Sequence, residues 1–311
     1  MRTLDLDDSS RVIVLGEGQV GSAISRSLTR SMPSVGHQTK TDWSTPAAAA
    51  RSTTDALAGL PRLGPTTGSS TTVIWSAGTA GMTTTKERCD QNLETMKQVL
   101  RAALDSVPEG QRRALHLVSS AGAHANGAPR WPESASAATG DRPSRVPYIE
   151  LKVAEERWAR SLVDDPNPVD ITVHRVASVY ARPGDPGRSG MVAAMVRNAA
   201  RGKVTPIFGR WSTIRNYVHA DDVGDFVARS VHLVPDDGQR VSESLLVDRR
   251  SYAIGELVNL VSKAIRRPVP LQMIPADNAE NHTFNPAMIS AGFTARPLPT
   301  AIRQMFLELQ P

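Results

Sequence analysis

Tyr148 and Lys152 stand four residues apart in Tyr-Ile-Glu-Leu-Lys, and a serine pair, Ser119-Ser120, closes an apolar run 28 residues before the tyrosine. Positions i and i+4 share one face of a helix, so a phenol and an ammonium at that spacing lie side by side. A free tyrosine titrates near ~10 and is a poor base at neutral pH, whereas a cation a few ångströms away favours the phenolate. A serine hydroxyl can then hold the substrate oxygen whose proton is moved. A tyrosine and a lysine at this spacing also arise by chance on surface helices. The chemistry therefore depends on elements that bring all three residues to one place.

The first such element is a glycine turn, Gly16-Glu17-Gly18-Gln19-Val20-Gly21. It follows the apolar run Arg11–Leu15 and opens a helix expected over 19–30, with Val20, Ile24 and Leu28 on one face. Gly16 permits the tight turn, Gly18 lets the backbone approach a pyrophosphate, and Gly21 lets helix and strand pack closely. The helix start offers unpaired N–H groups and partial positive charge to an anion. With Gln19 and Val20, these glycines are expected to bind a dinucleotide, NAD or NADP. The usual acid about 20 residues onward, which binds the ribose 2′-hydroxyl, is missing. Lys40 stands near the end of a weak second strand. It is either an acceptor for a 2′-phosphate, favouring NADP, or a solvated surface lysine.

Further strands are expected over 72–77, 114–119 and 170–176, separated by helices over 47–60, 86–105 and from Tyr148 to about Leu162. Strands alternating with helices imply an α/β fold, a Rossmann-type doubly wound parallel sheet. Ligands of such sheets sit beyond the carboxyl ends of the strands. The glycine turn, Ala77-Gly78, Ser119-Ser120 and Val176 all fall there, so Ala77, Gly78, Ser119 and Val176 join the expected cofactor contacts. After residue 180 the texture changes. Helices are expected over 191–201, 254–265 and 300–309, and a strand over 244–247. The expected division is a dinucleotide-binding domain over 1–180, with 212–248 returning to it, and a smaller C-terminal substrate-binding lobe over 181–311.

Composition sets the outer bounds. Hydrophobic residues make up 40% and charged residues 22% of the 311, as in ordinary globular proteins. No apolar run reaches the ~18 residues needed to span a membrane, and the first residues, Met-Arg-Thr-Leu-Asp-Leu-Asp-Asp, contain no apolar stretch of a secretory signal. The single cysteine, Cys89, excludes an intramolecular disulfide and suits the cytoplasm. The net charge of +5 comes from scattered arginines without a basic block, so no nucleic-acid partner is expected. The seven histidines and one cysteine show no metal-binding spacing, and no metal is assigned. His174 and His219, in or near apolar runs, read as core histidines.

With these pieces together, the chain resembles an extended short-chain dehydrogenase/reductase of the NAD-dependent epimerase/dehydratase family. Tyr148-x-x-x-Lys152 resembles the family's catalytic pair, and Val118-Ser-Ser-Ala121 its strand-end serine motif, with Ser120 as the catalytic serine. Trp131-Pro-Glu133, the Asn92 helix and the stretch from Arg215 to Val223 also resemble family elements. The resemblance implies that Tyr148 moves a proton of a sugar hydroxyl, that Lys152 assists it and holds the nicotinamide ribose, and that Ser120 binds the same oxygen. It implies that Arg215 holds the pyrophosphate of a nucleoside diphosphate sugar, a task for which the planar guanidinium fork is suited. Ser178 and His124 are taken as further substrate contacts. A homodimer through the helices over 86–105 and 148–162 is also implied.

The departures narrow the reaction. The glycine turn is one residue shorter than the family's usual form, and its Gly-Gln-Val-Gly ending resembles the dTDP-4-keto sugar reductases. Ala121-Gly122 stands where the dehydratases carry Asp-Glu, which disfavours 4,6-dehydration, and His124 stands where a tyrosine is usual. The expected activity is epimerisation of a nucleotide sugar. The alternative is an NADPH-dependent 4-keto sugar reductase, and the remote one a non-catalytic dinucleotide sensor.

Overall fold

In a computed structural model, residues 2–3, 10–32, 36–38, 40–60, 69–124, 147–182, 190–234, 239–274 and 281–309 are described. Strand β1 (Ser10–Leu15) leads through the glycine turn into helix α1 (Gln19–Ser31), and a short β2 (Gly36–Gln38) follows. Helix α2 (Pro46–Ala58) starts at a proline behind Thr45, whose side chain accepts the Ala48 N–H. β3 (Ser70–Trp75) is buried at every position, as befits a strand covered on both faces. α3 (Lys86–Asp105) is capped by Thr85 and buries Met96, Val99, Leu100 and Ala103 along one stripe. β4 (Arg112–Ser120), α4 (Pro147–Ser161) and β5 (Val169–Val176) complete this succession.

Further elements include β6 (Ser178–Tyr180), α5 (Gly190–Ala200), β7 (Thr205–Phe208), β8 (Ile214–His219), α6 (Ala220–Ser230), β9 (Val241–Leu246), β10 (Ser251–Ala253), α7 (Ile254–Ile265), β11 (Leu271–Ile274) and α8 (Leu298–Leu307).

Six strands form the main sheet in the order β9-β5-β4-β3-β1-β2. β1 pairs in parallel with both β2 and β3, and β3 in parallel with β4. The chain runs outward from β1 to β2 and then returns to β3 on the other side, so the strand order reverses between β1 and β3. Ligands bind doubly wound sheets at that kind of switch point. Within the strands, core residues Ile13, Val73, Leu115 and Ile171 pack in one cluster with Leu100 and Leu162. A Rossmann-like α/β sheet is thus the observed architecture, as the alternating pattern predicts.

The chain divides into two compact units. The first comprises Met1–Ser120, Val146–Arg175 and Gly224–Ser244; the second comprises Ala121–Arg145, Val176–Val223 and Leu245–Pro311. This differs from a division at residue 180 with 212–248 returning to the first domain. The reason is strand pairing. β8 belongs to a separate three-stranded sheet, β10-β8-β6, and only the later part of the expected returning segment runs beside β5. The second unit has its own core, where Val196, Tyr217, Leu257, Val261, Ile302 and Met305 pack among α5, α7 and α8.

Candidate active site

The glycine turn shows a separate reason for each of its three glycines. Gly16 has φ +118°, and a Cβ there would stand 2.6 Å from the Ala77 amide nitrogen. A Cβ on Gly21 would stand 2.0 Å from the Gly16 carbonyl oxygen. A Cβ on Gly18, by contrast, would meet no described atom within 4 Å. Gly18 is also the N-cap of α1, and no described side chain caps it. An open backbone face at a helix N-terminus suits a pyrophosphate. The residues present therefore fit a dinucleotide.

The other side of the switch point is held by Ser76, which the sequence reading did not single out. Its N–H and its hydroxyl both donate to the Leu15 carbonyl, at 2.9 and 3.2 Å, tying the ends of β3 and β1 together. Ala77 and Gly78 follow, Gly78 at φ +132°. Asn92 of α3 then fixes the next residue by accepting the Thr79 N–H at 2.9 Å, while donating to the Arg88 carbonyl at 2.7 Å. Lys40 is exposed just beyond β2. Nearby, the Asp42 side chain accepts the Ser44 N–H at 2.9 Å, which holds its carboxyl below the ordinary range.

Helix α4 carries Tyr148 and Lys152. The Lys152 ammonium lies 5.8 Å from the centroid of the Tyr148 ring, so the i,i+4 spacing does bring them together. Lys152 is 8% exposed, and its Nζ donates to Glu155 Oε2 at 2.7 Å. Burial alone would lower the lysine pKa. The charges of Glu155, Tyr148 and Glu156, with the Glu155 hydrogen bond, outweigh it and push the ammonium above its ordinary range.

A buried ionic network sets α4 on the sheet. Arg175 of β5, 1% exposed, donates to both carboxylate oxygens of Glu156 on α4, its Nε to Oε1 at 3.1 Å and its Nη2 to Oε2 at 2.6 Å. The same guanidinium reaches Glu243 of β9 at 3.3 Å, and Arg160 of α4 also pairs with Glu243. Ser119 completes the network by donating to Glu156 Oε1 at 2.6 Å. Of the serine pair, Ser119 is therefore bound into the architecture of α4. Ser120, half-buried, ends β4 and leads into a short 3-10 turn, Ala121–His124.

A sequence model of the NAD dependent epimerase/dehydratase family matches residues 12–240. The chain belongs to that family. Its fold is similar to that of UDP-glucose 4-epimerase from Thermus thermophilus in complex with NAD, with TM-score 0.70, 16% identity, and 97% of this chain and 100% of that one covered. It is also similar to a GDP-L-fucose synthetase from Naegleria fowleri bound to NADP, with TM-score 0.66, 15% identity and 99% and 95% covered. A GDP-6-OMe-4-keto-L-xylo-heptose reductase from C. jejuni gives TM-score 0.69, 13% identity and 97% and 98% covered. A search of curated proteins finds no match. The extended short-chain dehydrogenase/reductase assignment read from the motifs thus stands.

Three further residues expected at this family member's site lie in the second unit. Val176, the last residue of β5, is buried, and Ser178 is exposed at the start of β6. Arg215 of β8 stands opposite Tyr252 of β10, and its Nη1 donates to the Ile214 carbonyl at 3.0 Å. Burial and the Arg215 charge push the neighbouring His282 down to about 4. The aspartates near Arg215 engage other arginines: Asp222 receives Arg296 Nη2 at 2.7 Å, and Asp221 pairs with Arg182 at 3.2 Å. The His124 side chain and the Trp131-Pro-Glu133 element lie outside the described residues.

Two other readings concern the histidines and the cysteine. His174 is fully buried, with Nδ1 2.7 Å from Ser244 Oγ and Nε2 3.0 Å from His116 Nδ1. Cys89 is 2% exposed, and burial pushes its thiol up, away from reactivity. Among the described residues no group of three His, Cys, Asp or Glu could hold a metal ion, and no described helix is long and apolar enough to cross a membrane.

Proposed function

We propose that this chain is an NAD(P)-dependent epimerase of a nucleotide sugar, with Tyr148 as acid/base, Lys152 as its cationic partner and Ser120 as the group that holds the reacting oxygen. The observation that carries the reading is the Lys152 ammonium 5.8 Å from the Tyr148 ring, on a helix keyed to the sheet by Glu156 and Arg175. Gly16, Gly18, Gln19, Val20 and Gly21 would hold the pyrophosphate, with Ala77 and Gly78 across the switch point, Lys40 near the adenosine end and Val176 at the end of β5. When bound, the nicotinamide supplies the hydride chemistry. Tyr148 takes the proton of the sugar hydroxyl and returns it. Lys152 keeps the phenol's surroundings positive, and Ser120 orients the oxygen. Arg215 is assigned to the diphosphate of the substrate, with Ser178 and His124 as further contacts, and the active species is a homodimer.

A positioned acid/base contributes ~10²–10⁴-fold. Tyr148→Phe should lower turnover by about that factor with the fold intact, and unchanged turnover in the purified variant would refute the assignment. A 4-keto sugar reductase is the second reading, favoured by Gly-Gln-Val-Gly at 18–21. The purified protein, offered UDP-, GDP- and dTDP-hexoses and their 4-keto forms, separates the two. An epimerase interconverts isomers without net cofactor loss, whereas a reductase consumes NADPH in step with product.

A further inference from the structure

Glu155 is a second carboxylate on α4, one position before the Glu156 that Arg175 engages. It is 2% exposed, yet its Oε2 lies 2.7 Å from Lys152 Nζ. A buried carboxylate in that place is costly unless paired, and Lys152 is its partner. The charged and titratable groups around this ammonium come from several elements. Tyr148, Glu155 and Glu156 lie on α4 itself, and Cys89 on α3 is close enough for the Glu155 charge to act on it. Arg175 of β5 and Glu243 of β9 belong to the neighbouring Glu156 network. Glu156 is thus bound by Arg175, and Glu155 is the carboxylate hydrogen-bonded to Lys152.

We propose that Glu155 is a positioning residue of the candidate site, whose carboxylate holds Lys152 Nζ and sets how much of the ammonium's charge reaches Tyr148. This rests on the assignment of Tyr148 and Lys152 given above. The pair has two consequences. The short bond limits where Nζ can go, and the negative charge offsets part of the positive field at the phenol. Removing the charge while keeping an acceptor should therefore make the phenolate easier to form.

Tyrosinate ultraviolet absorbance tests this without a substrate. The chain has four tyrosines. Burial pushes Tyr180, Tyr217 and Tyr252 up, and these three remain in Tyr148→Phe, so the difference between wild type and that variant isolates the signal of residue 148. In Glu155→Gln this signal should form at a pH lower by about one unit, the size that one nearby charge commands. Glu155→Asp, one methylene shorter, draws the carboxylate back from Nζ and should give a smaller fall; it serves if the glutamine variant does not fold. A signal at unchanged or higher pH in the folded variants would overturn the proposal. Full turnover in Tyr148→Phe would instead remove the catalytic reading, while the titration would still report on Glu155.

Discussion

Ser119 and Glu156 are joined by a 2.6 Å hydrogen bond between the end of β4 and the middle of α4. This bond separates two adjacent serines by task. The Ser119 hydroxyl is an anchor for the helix that carries Tyr148, and the following residue closes the strand. Ser119→Ala should therefore lower stability by about 1–2 kcal/mol, the cost of leaving a charged acceptor short of one donor, with turnover largely kept. Ser120→Ala should lose turnover instead. Paired thermal melts and rate measurements on the two variants check this, and equal kinetic losses would refute the division.

Arg175 links α4 and β9 to β5 through Glu156 and Glu243. At 1% exposure it cannot be removed without taking from the buried Glu156 carboxylate its guanidinium partner. Arg175→Met should cost roughly 3–5 kcal/mol, as for other broken buried pairs. The urea midpoint would fall accordingly. A variant with wild-type stability would mean that water or a neighbouring cation, such as Arg160, replaces the guanidinium.

Much of this arrangement is legible in the residues alone, and the limits of legibility have physical causes. α3 matches its expected bounds because Thr85 caps it and its apolar stripe repeats at helical spacing. Tyr148 and Lys152 are legible for the same reason, since their encounter is local. β7 and β11 are missed: each has four residues, and they pair with one another across more than sixty residues of chain. α6 is missed because its first turn, with Asp221 and Asp222, reads as part of a binding motif rather than as acids at a helix start. Which serine Glu156 takes, and which lysine Glu155 meets in the interior, are decided by tertiary packing. The sequence reading singled out neither Glu155 nor Glu156, since a glutamate on a helix is ordinarily solvated and only the packing of α4 on the sheet buries these two.

Acid should weaken the first unit through its histidine pair. His116 and His174 are buried, and burial pushes His116 down to about 3 and His174 well below its ordinary value. Well above about pH 6.5 both are neutral in folded and unfolded chains, and they contribute no pH dependence. Below that, the unfolded chain binds a proton that the folded chain refuses, so stability falls until about pH 3. For His116 alone the loss at about pH 5 is ~2 kcal/mol. Urea unfolding at about pH 7 and pH 5 measures it, and His116→Gln should lose less over the same interval. Identical midpoints for the wild type at both pH values would contradict the buried neutral pair.

The three glycines of the turn should separate fold from cofactor binding. Gly21→Ala puts a methyl 2.0 Å from the Gly16 carbonyl, and the obstruction is backbone, so β1 and α1 must part. Overpacking of this kind costs about 1–3 kcal/mol or more. Gly18→Ala meets no described protein atom and sits at φ −74°, which alanine adopts without strain. Its stability should stay within about 0.5 kcal/mol of wild type. Its added methyl nevertheless occupies the face left open at the start of α1, so NADH and NADPH should both bind more weakly, as read from quenching or enhancement of fluorescence. A Gly18→Ala protein that binds both as tightly as wild type would show that the dinucleotide does not approach this turn.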